Sequence, residues 1–220
     1  MELVINTSVY CPLCGNRNGS SYFYSDNKRD YYRCSYCNLI HVPPFQYLSG
    51  EDELAEYNKH QNSHSDPGYR KFFSRLFNPL SSRLNSGSSG LDFGSGPGPT
   101  LSVMFEEEGH SMSLFDIFYA PDKEIFARQY DFITASEVVE HLHNPAIELD
   151  LLWSILKPEG WLGLMTKLAL DKDAFSKWHY KNDLTHVCFF SIETMEYLTK
   201  LWNTKYLLFG KDVILFQKPL

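Results

Sequence analysis

Leu91-Asp92-Phe93-Gly94-Ser95-Gly96-Pro97-Gly98-Pro99-Thr100 reads as the end of a strand, a tight glycine turn and the start of a helix. Glycines at 94, 96 and 98 are expected to supply positive φ and to let the backbone approach a ligand more closely than any Cβ allows. The helix behind them offers free amide groups and the positive end of its dipole. The stretch therefore predicts a cofactor cradle at the carboxyl edge of a parallel sheet.

The flanking sequence supports that placement. Apolar positions 69, 72, 73, 76, 77, 80 and 84 follow helical spacing, with Pro79 expected to kink or divide the helix. After the glycine turn, Leu101, Met104 and Phe105 share one helix face, and Gly109 ends that helix. Ser111 to Phe115 reads as the next strand and closes on Asp116, placed where an acidic residue accepts hydrogen bonds from both hydroxyls of a ribose; the alternative is a loop or capping aspartate. Tyr130 to Ser136 is a further strand, followed by Glu137-Val138-Val139-Glu140-His141-Leu142 as a short helix or loop. Asn144-Pro145 reads as a helix start, with Asn as the cap. Lys157-Pro158-Glu159-Gly160 reads as a turn and Trp161 to Lys167 as a strand. Ser191 opens a helix to Trp202, and Lys205 to Phe209 and Asp212 to Gln217 form an antiparallel hairpin around Gly210-Lys211. The pattern is α/β: a mostly parallel, Rossmann-like sheet with one reversed strand near its C-terminal end.

A smaller unit precedes it. Cys11-Pro12-Leu13-Cys14 and Cys34-Ser35-Tyr36-Cys37 are two Cys-x-x-Cys pairs separated by 19 residues, a spacing that suits four thiolates around a tetrahedral zinc. Gly15 and Asn38 follow the pairs and tolerate a left-handed turn. The aromatic runs Ser21 to Tyr24, Tyr31 to Arg33 and Leu39 to Val42 read as the strands of a zinc ribbon. The alternative is a set of redox or buried thiols. Cys188 has no partner motif and reads as a buried small hydrophobe. The expected division is a zinc ribbon at 1–48, a linker or lid helix at 49–68, and the main domain at 69–220. Tyr57, His60, Gln61 and Asn62 read either as part of a lid or as an ordinary helix end.

Composition limits what such a chain does. Of 220 residues 43% are hydrophobic and 15% aromatic, enough for a packed core. No run approaches the roughly 18 apolar residues of a membrane helix, and Met1 to Asn6 lacks the features of a signal peptide, so a cytoplasmic protein is expected. The net charge of −7 argues against a dedicated nucleic-acid binder. The ribbon sets Arg17, Lys28, Arg29 and Arg33 against Glu2, Asp26 and Asp30 and is close to neutral.

Pro99 stands where a dinucleotide fingerprint requires its third glycine. With Asp116, the acidic-histidine segment after the next strand, the Leu-Lys-Pro-Glu-Gly turn and the closing reversed strand, residues 66 to 220 resemble class I S-adenosylmethionine-dependent methyltransferases. They look closest to the small-molecule enzymes grouped with ubiquinone biosynthesis, in a subgroup that carries an N-terminal zinc ribbon. The resemblance implies that Asp92, Gly94, Ser95, Gly96 and Gly98 cradle the methionine part of S-adenosyl-L-methionine, that Asp116 holds the ribose, and that Glu137 lies near the cofactor. Only 14 residues separate Asp116 from Asp131, where the family normally fits a helix and another strand. The sheet is therefore expected to have six strands, with Ile117, Phe118 and Tyr119 as candidate walls for adenine.

Methyl transfer asks the protein mainly to align a nucleophile, and a base only where the acceptor must lose a proton. Glu140, His141 and His186 are the candidate catalytic residues, with His179 a further candidate base. Each histidine can equally be a hydrogen-bonded structural residue. The loop from Ala169 to Phe190 is too long for a plain connection and reads as a substrate wall or lid. The expected function is methyl transfer to a small-molecule or sugar-like acceptor. The alternatives are an RNA-modifying enzyme gripping its substrate with the ribbon, and a non-catalytic cofactor-binding module. Expected ligands are S-adenosyl-L-methionine and a structural Zn2+.

Overall fold

The computed structural model describes residues 9–17, 19–59 and 63–220. The readings of Met1 to Asn6 and of His60, Gln61 and Asn62 fall outside these residues. In chain order the elements are β1 (Ser20–Ser25), β2 (Asp30–Cys34), β3 (Ile40–His41), α1 (Gly50–Tyr57), α2 (Pro67–Ser81), β4 (Ser89–Phe93), α3 (Thr100–Glu107), β5 (Ser111–Phe115), β6 (Tyr130–Ser136), α4 (Pro145–Ile155), β7 (Leu156–Met165), α5 (Lys172–Ser176), β8 (Cys188–Phe189), α6 (Ile192–Trp202), β9 (Tyr206–Phe209) and β10 (Val213–Gln217).

The main sheet has six strands in the order β5-β4-β6-β7-β10-β9. β5, β4, β6 and β7 are parallel, and β10 runs antiparallel to both β7 and β9. One strand is therefore reversed, as expected. β5 forms an edge, because residues 116–129 provide only a turn and a 3-10 helix at Lys123–Ala127. Phe126 folds back onto this edge, with its ring 4.7 Å from Phe115 and 6.4 Å from Phe93.

Each sheet face has its own apolar layer. On β10, Val213 and Leu215 point to the side covered by α2 and α3, while Ile214 and Phe216 point to the side covered by α4 and α6, as the two-residue period of a strand requires. Asp66 caps α2 by accepting from Gly68 N and Tyr69 N. Pro79 does not divide α2. It lies in the last turn, where it removes a single hydrogen bond, and the helix runs through it to Ser81. On the other face Trp153 of α4 stacks on Trp202 of α6 at 4.5 Å. Asn144 precedes α4, yet its side chain makes no capping bond; Ser191 does cap α6, in a capping box with Thr194.

The Lys157 to Gly160 turn is an excursion within β7. Tyr130 pairs with Leu156 and Phe132 with Trp161, and Glu159 takes a left-handed φ of 61° to close the loop.

A second sheet has the order β1-β2-β3-β8. Its first three strands are the short aromatic runs around the cysteines. The fourth comes from the long segment after β7, pairing Ile40 with Phe189 and His41 with Cys188. Cys11, Tyr31, Leu39 and Val42 share one apolar cluster with Leu164, Phe175 and Phe190.

Candidate active site and cysteine cluster

The glycine turn joins β4 to α3 at the carboxyl edge of the sheet. Gly94 (φ 77°) and Gly96 (φ 62°) are left-handed, as read from the sequence, but Gly98 is not. The direction of the chain changes over the first two glycines, and Pro97 and Pro99 then restrict the backbone leading into α3. A Cβ on Gly94 would lie 2.3 Å from Val138, so this glycine is required for packing against the segment after β6. A Cβ on Gly96 would meet nothing within 4 Å, which leaves room for a ligand over its backbone. Ser95 Oγ is buried without a hydrogen-bond partner among the described residues.

Asp92 is 3% exposed and sits beneath the turn. It accepts from Thr134 Oγ1 and Ser102 Oγ, both at 2.9 Å, bracing β4 against β6 and α3. Burial pushes its carboxyl up to about 6, against the pull of these two hydroxyls. Asp116 follows β5 directly. One oxygen accepts from the amides of Phe118 and Tyr119 at 2.9 and 3.1 Å, and the other from Gly96 N at 2.9 Å. This carboxylate thus links the glycine turn to the loop after β5. Of the proposed adenine walls, Ile117 is exposed and Phe118 lies 5.8 Å from the ring of Tyr57.

The acidic-histidine segment lies beside the turn. Glu137 adopts a φ of 53°, costly for a residue with a Cβ; its amide donates to Met165 O at 2.7 Å. Its Oε1 is buried and unpartnered among the described residues. Glu140 is fully buried. It accepts a short hydrogen bond from the Tyr180 hydroxyl through Oε1, while its Oε2 has no partner among the described residues. Burial raises both carboxyls, and for Glu140 the nearby charge of Glu137 adds to the effect.

His141 and His186 complete the group. Their rings meet edge to face at 4.6 Å, and Glu140, His141 and His186 each bring one side-chain nitrogen or oxygen within 4.8 Å of the others. His186 shares a 2.7 Å hydrogen bond with Tyr180 O through Nδ1. Burial holds its pKa below the usual value. His141 Nδ1 lies 3.2 Å from the Tyr57 hydroxyl. His179 stands apart: it is exposed and contacts Lys167 Nζ at 3.2 Å.

α1 covers this side. Besides the Tyr57 contact, Glu53 accepts from His143 at 2.7 Å, which raises the histidine's pKa. Asn58 accepts from Tyr119 at 2.9 Å. The sequence does not mark Tyr180 or Arg29 as functional residues. Tyr180 is 40 residues from Glu140, and the sole hint is the unusual length and aromatic content of its segment.

In the N-terminal module, Cys11, Cys14, Cys34 and Cys37 bring their sulfurs within 4.8 Å of one another. The Cys11–Cys37 and Cys14–Cys34 separations are 3.5 and 3.4 Å, too long for disulfides and close to the roughly 3.8 Å edge of a tetrahedron with zinc–sulfur bonds near 2.3 Å. Both pairs form tight knuckles: Gly15 N donates to Cys11 O and Asn38 N to Cys34 O, with Gly15 and Asn38 left-handed. Tyr36 N points at Cys34 Sγ. The donor set is complete with four sulfurs and suits a structural Zn2+. Cys188 lies outside it, buried, donating to Leu142 O at 3.3 Å.

A family model described as a methyltransferase domain matches residues 62–203. Among solved structures, 1,6-didemethyltoxoflavin-N1-methyltransferase from Burkholderia thailandensis, with bound 1,6-didemethyltoxoflavin and S-adenosylhomocysteine, is similar with a TM-score of 0.51 and 14% identity, over 92% of this chain and 100% of that one. A methyltransferase from Thermotoga maritima, described as a possible histamine N-methyltransferase, gives a TM-score of 0.48 and 15% identity over 76% and 97%. At 14% identity the likeness to the first is one of fold. No curated protein matches the chain.

Proposed function

The chain belongs to the methyltransferase-domain family and is an S-adenosylmethionine-dependent methyltransferase, and we propose that it transfers the methyl group to a small-molecule acceptor bound beside Glu140, Tyr180 and His186. S-adenosylmethionine supplies a methyl group on a sulfonium centre, ready for direct displacement. The glycine turn offers it an open backbone at Gly96, Asp116 a carboxylate for the ribose, and Glu137 a buried acidic atom with no other partner among the described residues. Glu140 is the candidate base. Its raised pKa brings a carboxylate toward the range where proton removal near neutral pH is efficient, and Tyr180 orients it.

The observation that carries the small-molecule reading is the fate of the ribbon's cations. Arg29 is 4% exposed and spends its guanidinium on backbone carbonyls, while Arg33 faces Glu193 at 3.8 Å. Two of four basic residues are thus committed within the protein, which leaves a poor surface for phosphates. The cysteine module is read as a structural zinc ribbon, and the subgroup allied to ubiquinone-biosynthesis enzymes remains the proposed affiliation.

Incubating the protein with methyl-labelled S-adenosylmethionine and a metabolite extract is expected to place label in a low-molecular-weight, nuclease-resistant product. Label in RNA, or none at all despite cofactor binding, would overturn the small-molecule reading. Glu140→Gln is expected to abolish most of that transfer and to change the pH dependence of stability. The unfolded glutamate loses its proton near 4.5, whereas the folded one keeps it to higher pH. The native state then binds more protons above pH 4.5, and its stability falls as pH rises, by at most about 1.4 kcal/mol per unit for one group. Thermal melts from pH 5 to 8 should show a shallower decline in Glu140→Gln than in the wild type. Equal slopes would mean that Glu140 is ionised in the folded protein.

A further inference from the structure

We propose that Arg29 is the positioning residue of the acceptor side, through which the cysteine module holds the segment that carries Tyr180 and His186. The inference rests on the reading of Glu140, Tyr180 and His186 as the acceptor side.

Arg29 stands just before β2, in the N-terminal module, yet its side chain is used 157 residues away. One terminal nitrogen donates to Leu184 O and His186 O, both at 2.9 Å; the other donates to Lys181 O at 2.8 Å and Asp183 O at 3.0 Å. Four carbonyls from a six-residue turn converge on one buried cation. Without a cation these dipoles would repel one another in a largely buried site. The flat, forked guanidinium meets four acceptors at once; an ammonium, with three donors around a point charge, cannot.

The cation is itself held in place. Asp26 Oδ1 accepts from the backbone amides of Lys28 and Arg29, and Oδ2 from Lys181 Nζ and the Tyr31 hydroxyl. Burial pushes the Asp26 carboxyl up, but these donors outweigh it and hold it at about 2. Lys181 is nearly buried in its pair with Asp26. The turn is thus fixed to the module by two cations of opposite origin, Arg29 reaching out and Lys181 reaching in.

A second attachment adjoins the first. Val42 N donates to Val187 O at 2.9 Å, β3 pairs with β8, and Val187 N donates to Glu140 O at 2.8 Å. The module therefore sets the positions of His186 and, through Val187, of the Glu140 backbone. Tyr180 lies within the same segment, with its carbonyl on His186 and its hydroxyl on Glu140. The glycine turn and Asp116 share none of these bonds, so cofactor binding and acceptor-side order are separable.

Burial depresses the pKa of His186 most; Asp183 at 3.8 Å and the Tyr180 carbonyl oppose it, and the charges of Arg29 and Lys167 add to the depression, while Glu140, His141 and the Tyr180 ring also face it. Loss of the Arg29 charge should release part of that depression.

The test uses the full zinc-loaded chain with Arg29→Met, Arg29→Lys and Asp26→Asn. S-adenosylhomocysteine affinity by calorimetry is expected to stay within about twofold of wild type, while amide exchange over residues 181–187 accelerates at least about tenfold. The His186 ring, followed by NMR, should titrate at higher pH in Arg29→Met than in Arg29→Lys, a response that a purely structural residue would not produce. Unchanged exchange over 181–187 would overturn the proposal. So would equal loss of cofactor binding and of protection throughout the chain, or failure of all three variants to fold, since each assigns Arg29 to general stability. If the acceptor reading alone is wrong, the wild-type protein transfers no label to small molecules while the exchange result stands.

Discussion

Stripped of metal, the chain is expected to lose its N-terminal sheet and at least about 10 °C in Tm, because a structural zinc in a small module supplies much of the module's folding free energy. β1, β2 and β3 are short, and β3 has only two residues. Three of the four cysteines are fully buried and belong to the same apolar cluster as Phe175, Val187 and Phe189. Loss of the metal leaves four thiols crowded at that point with no partner able to satisfy them. Purified protein should contain about one zinc per chain, with four sulfur ligands. Cys37→Ser should lower both metal content and Tm, whereas Cys188→Ala should leave the zinc content unchanged. Metal-free protein that melts with the wild type would rule out a structural role for zinc. The collapse should also reach β8 and the segment 181–187, since both lean on the module.

Asp116→Ala is expected to weaken S-adenosylmethionine binding at least about tenfold, or about 1.4 kcal/mol. Two losses combine. The proposed ribose contact disappears, and so do the acceptors for Gly96 N, Phe118 N and Tyr119 N, which hold the glycine turn against the loop after β5. Asp116→Asn is a stringent comparison, because its amide group would turn a donor toward one of these N–H groups; it too should bind more weakly. Calorimetry decides, and unchanged affinity in Asp116→Ala would take the residue out of the ribose role.

Much of the main domain is legible in the sequence because its signals are local. The glycine turn is marked by residues that tolerate a left-handed backbone, and β5 ends at Phe115, directly before Asp116, at the expected place. The short interval to Asp131 announces the absence of an edge strand, since 14 residues cannot hold both a helix and a strand. The same local reading overreaches at Gly98, Pro79 and Asn144. There the residue type permits a left-handed turn, a break or a cap, but neighbouring structure decides whether it is used. Gly98 comes after two glycines that have already turned the chain, and Pro79 falls where a helix has few bonds left to lose.

The list of elements, the reversed strand and the cysteine spacing can all be read along the chain, since each depends on residue periodicity, backbone tolerance or ligand geometry over a few positions. Folding in three dimensions was needed to bring β8 into the N-terminal sheet, to set Tyr180 against Glu140, and to close Arg29 on the carbonyls around His186. Those contacts join residues dozens to more than a hundred positions apart. Their driving force is the need to satisfy buried dipoles and charges wherever packing brings them together, and such a need leaves no fixed spacing along the chain.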